Sequence, residues 1–122
     1  MSYRVALTPL AAHDLYQITV YVAESLSAAQ TAVALLDRLQ KAIDNLAYFP
    51  RRNELVDGAV WSRRGLRKMV VDNYLVFYLV DEKRRSVEVL RVMYAKRDYN
   101  KVLNEMTKEE SVSKTKKTGR KW

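Results

Sequence analysis

The segment Leu66–Met93, LRKMVVDNYLVFYLVDEKRRSVEVLRVM, decides the fold. It holds three runs rich in β-branched and aromatic residues: Leu66 to Val71, Tyr74 to Asp81 and Val87 to Met93. Asp72-Asn73 separates the first two, a tight hairpin turn without the usual glycine. The charged run DEKRR from Asp81 separates the second and third. Short turns can join only antiparallel neighbours, so the segment reads as a three-stranded meander. In the middle run Leu75, Phe77 and Leu79 point to one face, and Tyr74, Val76, Tyr78 and Val80 to the other. Both faces are apolar, so both need cover.

Upstream lies the cover for one of them. Tyr3 to Leu7, YRVAL, reads as a short first strand. Thr8-Pro9 is a helix start, with a hydroxyl N-cap and proline where its missing N–H costs nothing. Ala11, Leu15, Ile18 and Val22 then make one helical face, with Asp14, Gln17 and Glu24 off it. Ser27 with Gln30 is a capping-box pattern that opens a second helix. Its stripe is Ala32, Leu36, Leu39, Ile43 and Leu46, and Pro50 is expected to stop it. With almost no linker between them, the helices form an antiparallel hairpin. Arg51 to Gly65 reads as a polar connection with a turn at Asp57-Gly58.

The fold class is therefore α+β: an N-terminal strand, a two-helix hairpin, a three-stranded antiparallel meander and a short C-terminal helix within Tyr99 to Met106. The hairpin covers one sheet face. The C-terminal helix or a partner chain covers the other. Residues 1–106 form the expected domain and 107–122 a basic, flexible tail.

Composition narrows the chemistry. A chain of 122 residues with 48% hydrophobic residues suits one domain with one core. Without cysteine there is no disulfide or thiolate metal site, and the single histidine, His13, lies off the helix stripe. No metal and no cofactor is expected. No apolar run reaches membrane-spanning length, and MSYRVALTP lacks a signal-peptide core, so a cytoplasmic location is expected. The net charge of +8 favours an anionic partner, and half of it sits in the tail from Thr107 onward.

The remaining candidates are cations and phenols. Arg67 and Lys68 stand near the start of the second strand, and Tyr94, Lys96 and Arg97 just past the last. Metal-free RNA cleavage needs a base for the 2′-hydroxyl, cations for the charged phosphorane and an acid for the leaving oxygen. Lys68 and Tyr94 could move protons, whereas Arg67 and Arg97 could only stabilise charge. Equally, Lys68 and Lys96 suit solvated strand ends, Tyr94 a rim aromatic, and Arg97 with Asp98 a surface pair. If the sheet follows chain order, Arg67 and Arg97 lie at opposite ends.

Four segments in order, LTPLAAHDLYQITVYV, LQKAIDNLAYFP, LRKMVVDNYLVFYLV and VEVLRVMYAKRDYNKVL, together resemble the RelE/ParE superfamily of type II toxin–antitoxin modules. The resemblance spans about Tyr3 to Leu103. It implies a growth-inhibiting toxin neutralised by a cognate antitoxin with an acidic or amphipathic segment. RelE-like members cut ribosome-bound mRNA, and ParE-like members trap DNA gyrase. The RelE pattern carries an arginine after the tyrosine of the third strand, where this chain has Leu75. It also carries a C-terminal tyrosine, where this chain has Leu103. NYLVFY and the long helical hairpin look ParE-like, although such chains commonly show histidine at the position of Tyr94. The resemblance thus favours gyrase binding through Arg67, Arg91, Tyr94, Lys96 and Arg97. Arg67, Lys68, Tyr94 and Arg97 are the catalytic set if the chain is RelE-like, and a degenerate, non-toxic antitoxin binder is a further alternative. Tyr74, Val76 and Tyr78 are the expected antitoxin-binding face.

Overall fold

The computed structural model describes residues 2–25, 27–97 and 101–105. The chain runs β1 (Arg4–Leu7), α1 (Pro9–Val20), a π-helical turn (Tyr21–Ser25) and α2 (Ala29–Asp44). Two 3-10 turns follow, Asn45–Ala47 and Pro50–Arg52, then a short helix α3 (Ala59–Arg64). The meander is β2 (Arg67–Val71), β3 (Tyr74–Asp81) and β4 (Ser86–Tyr94), and residues 101–105 are helical. The tail, residues 107–122, lies outside the described residues, as does Met106.

Thr8 caps α1 as its sequence suggests. Its Oγ1 accepts from the Ala11 N–H at 3.0 Å and donates to the Leu90 carbonyl at 2.9 Å. One buried hydroxyl thereby satisfies an orphan helix donor and ties α1 to β4. The start of α2 departs from expectation. Ser27 adopts a left-handed backbone (φ 49°), the cap position falls on Ala28, and no side chain caps the helix. The preceding π-helical turn shifts the chain past the capping-box register. The helix also ends at Asp44, well before Pro50, which opens the second 3-10 turn. Along α2 the fully buried residues are Ala32, Leu35, Leu39 and Ile43, and Leu36 is half-buried beside them.

The sheet order is β1-β4-β3-β2, with β1 parallel to β4 and the other pairs antiparallel. The first strand thus docks on the outer side of β4. Between β3 and β4, Phe77 faces Arg91 while Tyr78 faces Val89, so Leu90 has no partner in the register. Such a bulge re-aims the side chains around it. Leu90 packs on one face of the sheet, whereas Val89 and Val92 pack on the other and Arg91 reaches α1.

Two cores result. One lies between the helices and the sheet and contains Ala11, Leu15, Leu39, Val76, Tyr78 and Val89. The other lies on the opposite face, where Leu75, Phe77, Leu90 and Met93 are covered by Val56, Trp61, Leu66 and Leu103. The connection read as polar supplies half of this cover, Val56 and Trp61: α3 is absent from the sequence reading, and its Trp61 is buried. Gly65 ends α3 at φ 82°, the left-handed stop that glycine adopts without strain. Complete burial of Phe77 alone contributes about 1.5–3 kcal/mol.

This arrangement corrects the expected docking face. Val76 and Tyr78 are 0% exposed beneath the helical hairpin, so neither presents a surface to a partner. Tyr74 alone of the three is partly open. The side chains sort by alternation as expected, but the chain's own α3 and residues 101–105 supply the second cover. Among the described residues no helix is long and apolar enough to cross a membrane.

Candidate target-binding edge

One end of the sheet collects the β2–β3 turn, the start of β3 and the end of β4. Asp72 takes a left-handed backbone (φ 54°) in the turn, a conformation aspartate tolerates better than most side chains. Its carboxylate accepts from Arg38 Nε at 2.8 Å and lies 2.7 Å from Arg38 Nη2, which fastens the turn to α2. Tyr74 and Tyr94 stand opposite each other in register, with ring centroids 5.8 Å apart and planes tilted by 59°. The Ala95 N–H donates to the Asn73 carbonyl at 2.8 Å, and the Arg97 N–H to the Tyr94 carbonyl at 3.0 Å. The second bond closes a turn that leaves Lys96 and Arg97 exposed beside Tyr94, itself 44% exposed.

Burial pushes the Tyr74 phenol above the ordinary tyrosine value, and Tyr94, Tyr21 and the Asp72 carboxylate push it further. The Tyr74 hydroxyl is thus available as a hydrogen-bond donor at this edge. Among the described residues no three His, Asp or Glu side chains converge as metal ligands do.

The structure brings Tyr94, Lys96 and Arg97 together and places the other candidates elsewhere. Arg67 pairs with Tyr78, whereas Val71 pairs with Tyr74, so Arg67 lies four residues farther along the strand. That is about 13 Å from the Tyr74–Tyr94 end. Arg67 Nη1 donates to the carbonyls of Arg51 and Asn53 at 3.2 and 2.6 Å, bracing the loop after α2. Lys68 sits beside it, mostly buried, with Nζ 4.0 Å from Glu54. Arg91 is not a surface cation: it forms a bidentate pair with Asp14 in which both side chains are nearly buried. The expectation that Arg91 meets a target is corrected accordingly. The bulge turns it toward α1.

Four contributors escaped the sequence reading: Asp14, Tyr21, Arg38 and Asp72. Asp14 left a signal. It stands three residues after Ala11 and four before Ile18, so helical periodicity puts it at the border of the buried stripe. Arg38 and Asp72 left none, because their pairing depends on how α2 crosses the sheet.

The model of the ParE toxin of the type II toxin–antitoxin system parDE matches residues 5–99. The chain belongs to the ParE toxin family. No match to a curated protein was found. Among solved structures, the chromosomal ParDE system of P. aeruginosa aligns with a TM-score of 0.64 at 15% identity, over 78% of this chain and 98% of that one. A mutant E. coli RelE toxin in the free state aligns with a TM-score of 0.60 at 18% identity, over 89% and 98%. The archaeal RelE–RelB complex of Pyrococcus horikoshii gives 0.56 at 20%, over 80% and 99%. At these identities the likeness is one of fold, and ParE and RelE toxins share it. This ParE-family chain thus has the superfamily architecture, with its own phenol–cation edge at the Tyr74–Tyr94 end.

Proposed function

We propose that this ParE-family toxin arrests growth by binding DNA gyrase through the edge formed by Tyr94, Lys96 and Arg97. The observation that carries this reading is the separation of the cleavage set. Arg67 and Lys68 lie about 13 and 10 Å along the sheet from the Tyr74–Tyr94 end. A phosphorane needs its base, acid and charge stabilisers around one phosphate. Leu75 and Leu103, where the RelE pattern carries arginine and tyrosine, are both buried in the second core. What the edge offers is exposed cations beside two phenols, which suits binding to an acidic or phosphate-rich surface. Gyrase places the toxin in the cytoplasm. Its other partner is a cognate antitoxin with an acidic segment that neutralises the same edge.

Ribosome-dependent mRNA cleavage is the second reading, supported by the side-by-side placement of Tyr94 with Lys96 and Arg97. Induced expression without antitoxin separates the two. Gyrase binding predicts a DNA-damage response with intact mRNA, weakened by Lys96→Ala with Arg97→Ala and unchanged by Lys68→Ala. Cleaved mRNA without DNA damage would overturn it. Normal growth would identify a non-toxic antitoxin binder.

A further inference from the structure

At the other end of the sheet a concavity of about 600 Å³ opens between the start of β1, the loop after α2 and the β3–β4 turn. Three aromatic rings, Tyr3, Tyr48 and Phe49, and three guanidinium groups, Arg51, Arg52 and Arg85, line it. It lies seven residue steps along β3 from the Tyr74–Tyr94 edge, about 23 Å away. We propose that this concavity is a second binding site, which takes an unstacked nucleobase and its flanking phosphate from a single-stranded nucleic acid. The proposal is independent of the gyrase reading.

The backbone that carries Tyr48 and Phe49 is held in place. Phe49 is 83% exposed and sits at φ 51°, a left-handed backbone that a bulky residue adopts only when its surroundings impose it. Those surroundings are visible: Arg52 Nη1 donates to the carbonyls of Asn45, Tyr48 and Phe49, and Pro50 follows directly. The backbone beneath both rings is therefore fixed while the Phe49 ring projects into solvent. An exposed, pre-positioned aromatic is a stacking platform, and stacking tolerates any base.

The charge fits phosphate. Of the three arginines, Arg51 pairs with an acid, Glu82, whose carboxylate accepts from the Tyr3 hydroxyl at 2.7 Å and from Arg51 Nη1 at 3.2 Å. The site keeps a positive excess, and the Arg85 guanidinium lies over the Tyr3 ring at 5.3 Å from its centroid. Arginine binds phosphate through its planar fork and stacks on rings and bases as well.

Other occupants fit less well. The chain's own tail carries six cations against two anions from Thr107 onward, so the arginines repel it. A second copy, at +8, is repelled in the same way. An acidic peptide would satisfy the charge but would find fewer main-chain partners. The N–H groups of Tyr3, Tyr48 and Arg52 are already used, toward Ala47, Asn45 and Phe49. Rings and guanidinium groups dominate what the lining offers, which matches a base and a phosphate.

The test uses the full chain and a short single-stranded oligonucleotide carrying one 2-aminopurine, whose fluorescence is quenched on stacking. The wild type should quench it. Phe49→Asn, which removes the ring but tolerates the left-handed backbone, should abolish quenching and weaken binding about tenfold. Arg51→Gln should lower the salt dependence by somewhat less than one charge. The tail ends in Trp122 and the far edge exposes Tyr94, so the difference between wild type and Phe49→Asn, rather than quenching by itself, isolates the concavity. Equal quenching by wild type and Phe49→Asn, with both folded by circular dichroism, would overturn the proposal. So would absence of quenching together with Phe49-dependent binding of an acidic, aromatic-containing peptide, which would assign the site to a protein partner.

Discussion

Asp14 of α1 and Arg91 of β4 form a bidentate ion pair, with Nε and Nη2 of the arginine 2.7 and 2.9 Å from the two carboxylate oxygens. The Val92 N–H adds a third bond to the same carboxylate at 2.9 Å. That third bond satisfies a donor next to the bulge, and the pair bolts the helix layer to the second strand of the sheet.

With side chains only 13% and 11% exposed, the pair is screened little by water. Removing one partner strands a charge that is nearly out of solvent. Asp14→Ala is expected to cost about 3–5 kcal/mol in urea unfolding, whereas Asp14→Leu combined with Arg91→Met should recover most of that loss. A loss for Asp14→Ala under about 1 kcal/mol would show that the pair behaves like an exposed one.

Tyr78 makes stability fall at alkaline pH. Its buried hydroxyl donates to the Pro50 carbonyl at 2.6 Å and accepts from Asn53 Nδ2 at 3.0 Å. Burial raises its pKa, and the Asn53 bond and the nearby Arg67 and Arg52 charges only partly oppose the rise. The folded state therefore holds the proton more tightly than the unfolded chain. This contribution is complete below the unfolded value of about 10 and is lost as pH rises from there through the folded value. Tyr78→Phe should lose about 1–3 kcal/mol at neutral pH by orphaning the Pro50 carbonyl. Its unfolding midpoint should also decline less between neutrality and strong alkali. Parallel pH profiles for the two proteins would remove Tyr78 as the cause.

Leu103 closes the second core from the C-terminal side and is fully buried. Leu103→Ala should cost about 2–5 kcal/mol by opening a cavity over Phe77 and Met93. The readout is the denaturant midpoint. A change below about 1 kcal/mol would mean that residues 101–105 lie loosely on the sheet.

The sequence made β3 legible to the residue, and β2, β4 and β1 to within one, because alternation and turn chemistry act over a few neighbouring positions. Thr8-Pro9 was legible for the same reason. The failures at Ser27 and Pro50 arose where a π-helical turn and two 3-10 turns replaced regular helix. The hydrogen-bond register changed there without a compositional mark. The bulge at Leu90 hid the inward turn of Arg91, and the strand order decided that Arg67 and Arg97 stay apart. Of the candidate edge, Tyr94, Lys96 and Arg97 could be read as a run. Arg38 and Tyr21 could not, because their neighbours are set by packing between elements far apart in the chain.

The parallel docking of β1 on β4 has a consequence for biosynthesis. The strand translated first takes its place beside the strand translated last, Arg4 against Ser86. Such distant pairing delays folding, because a long loop must close before any bond rewards it. A nascent chain that has not reached β4 holds two amphipathic helices without the Val87, Val89 and Val92 part of the face that buries them. A premature stop codon before Val87 thus yields a polypeptide with neither core complete. For this member of a toxin family, completion of translation then sets the moment at which the fold can assemble.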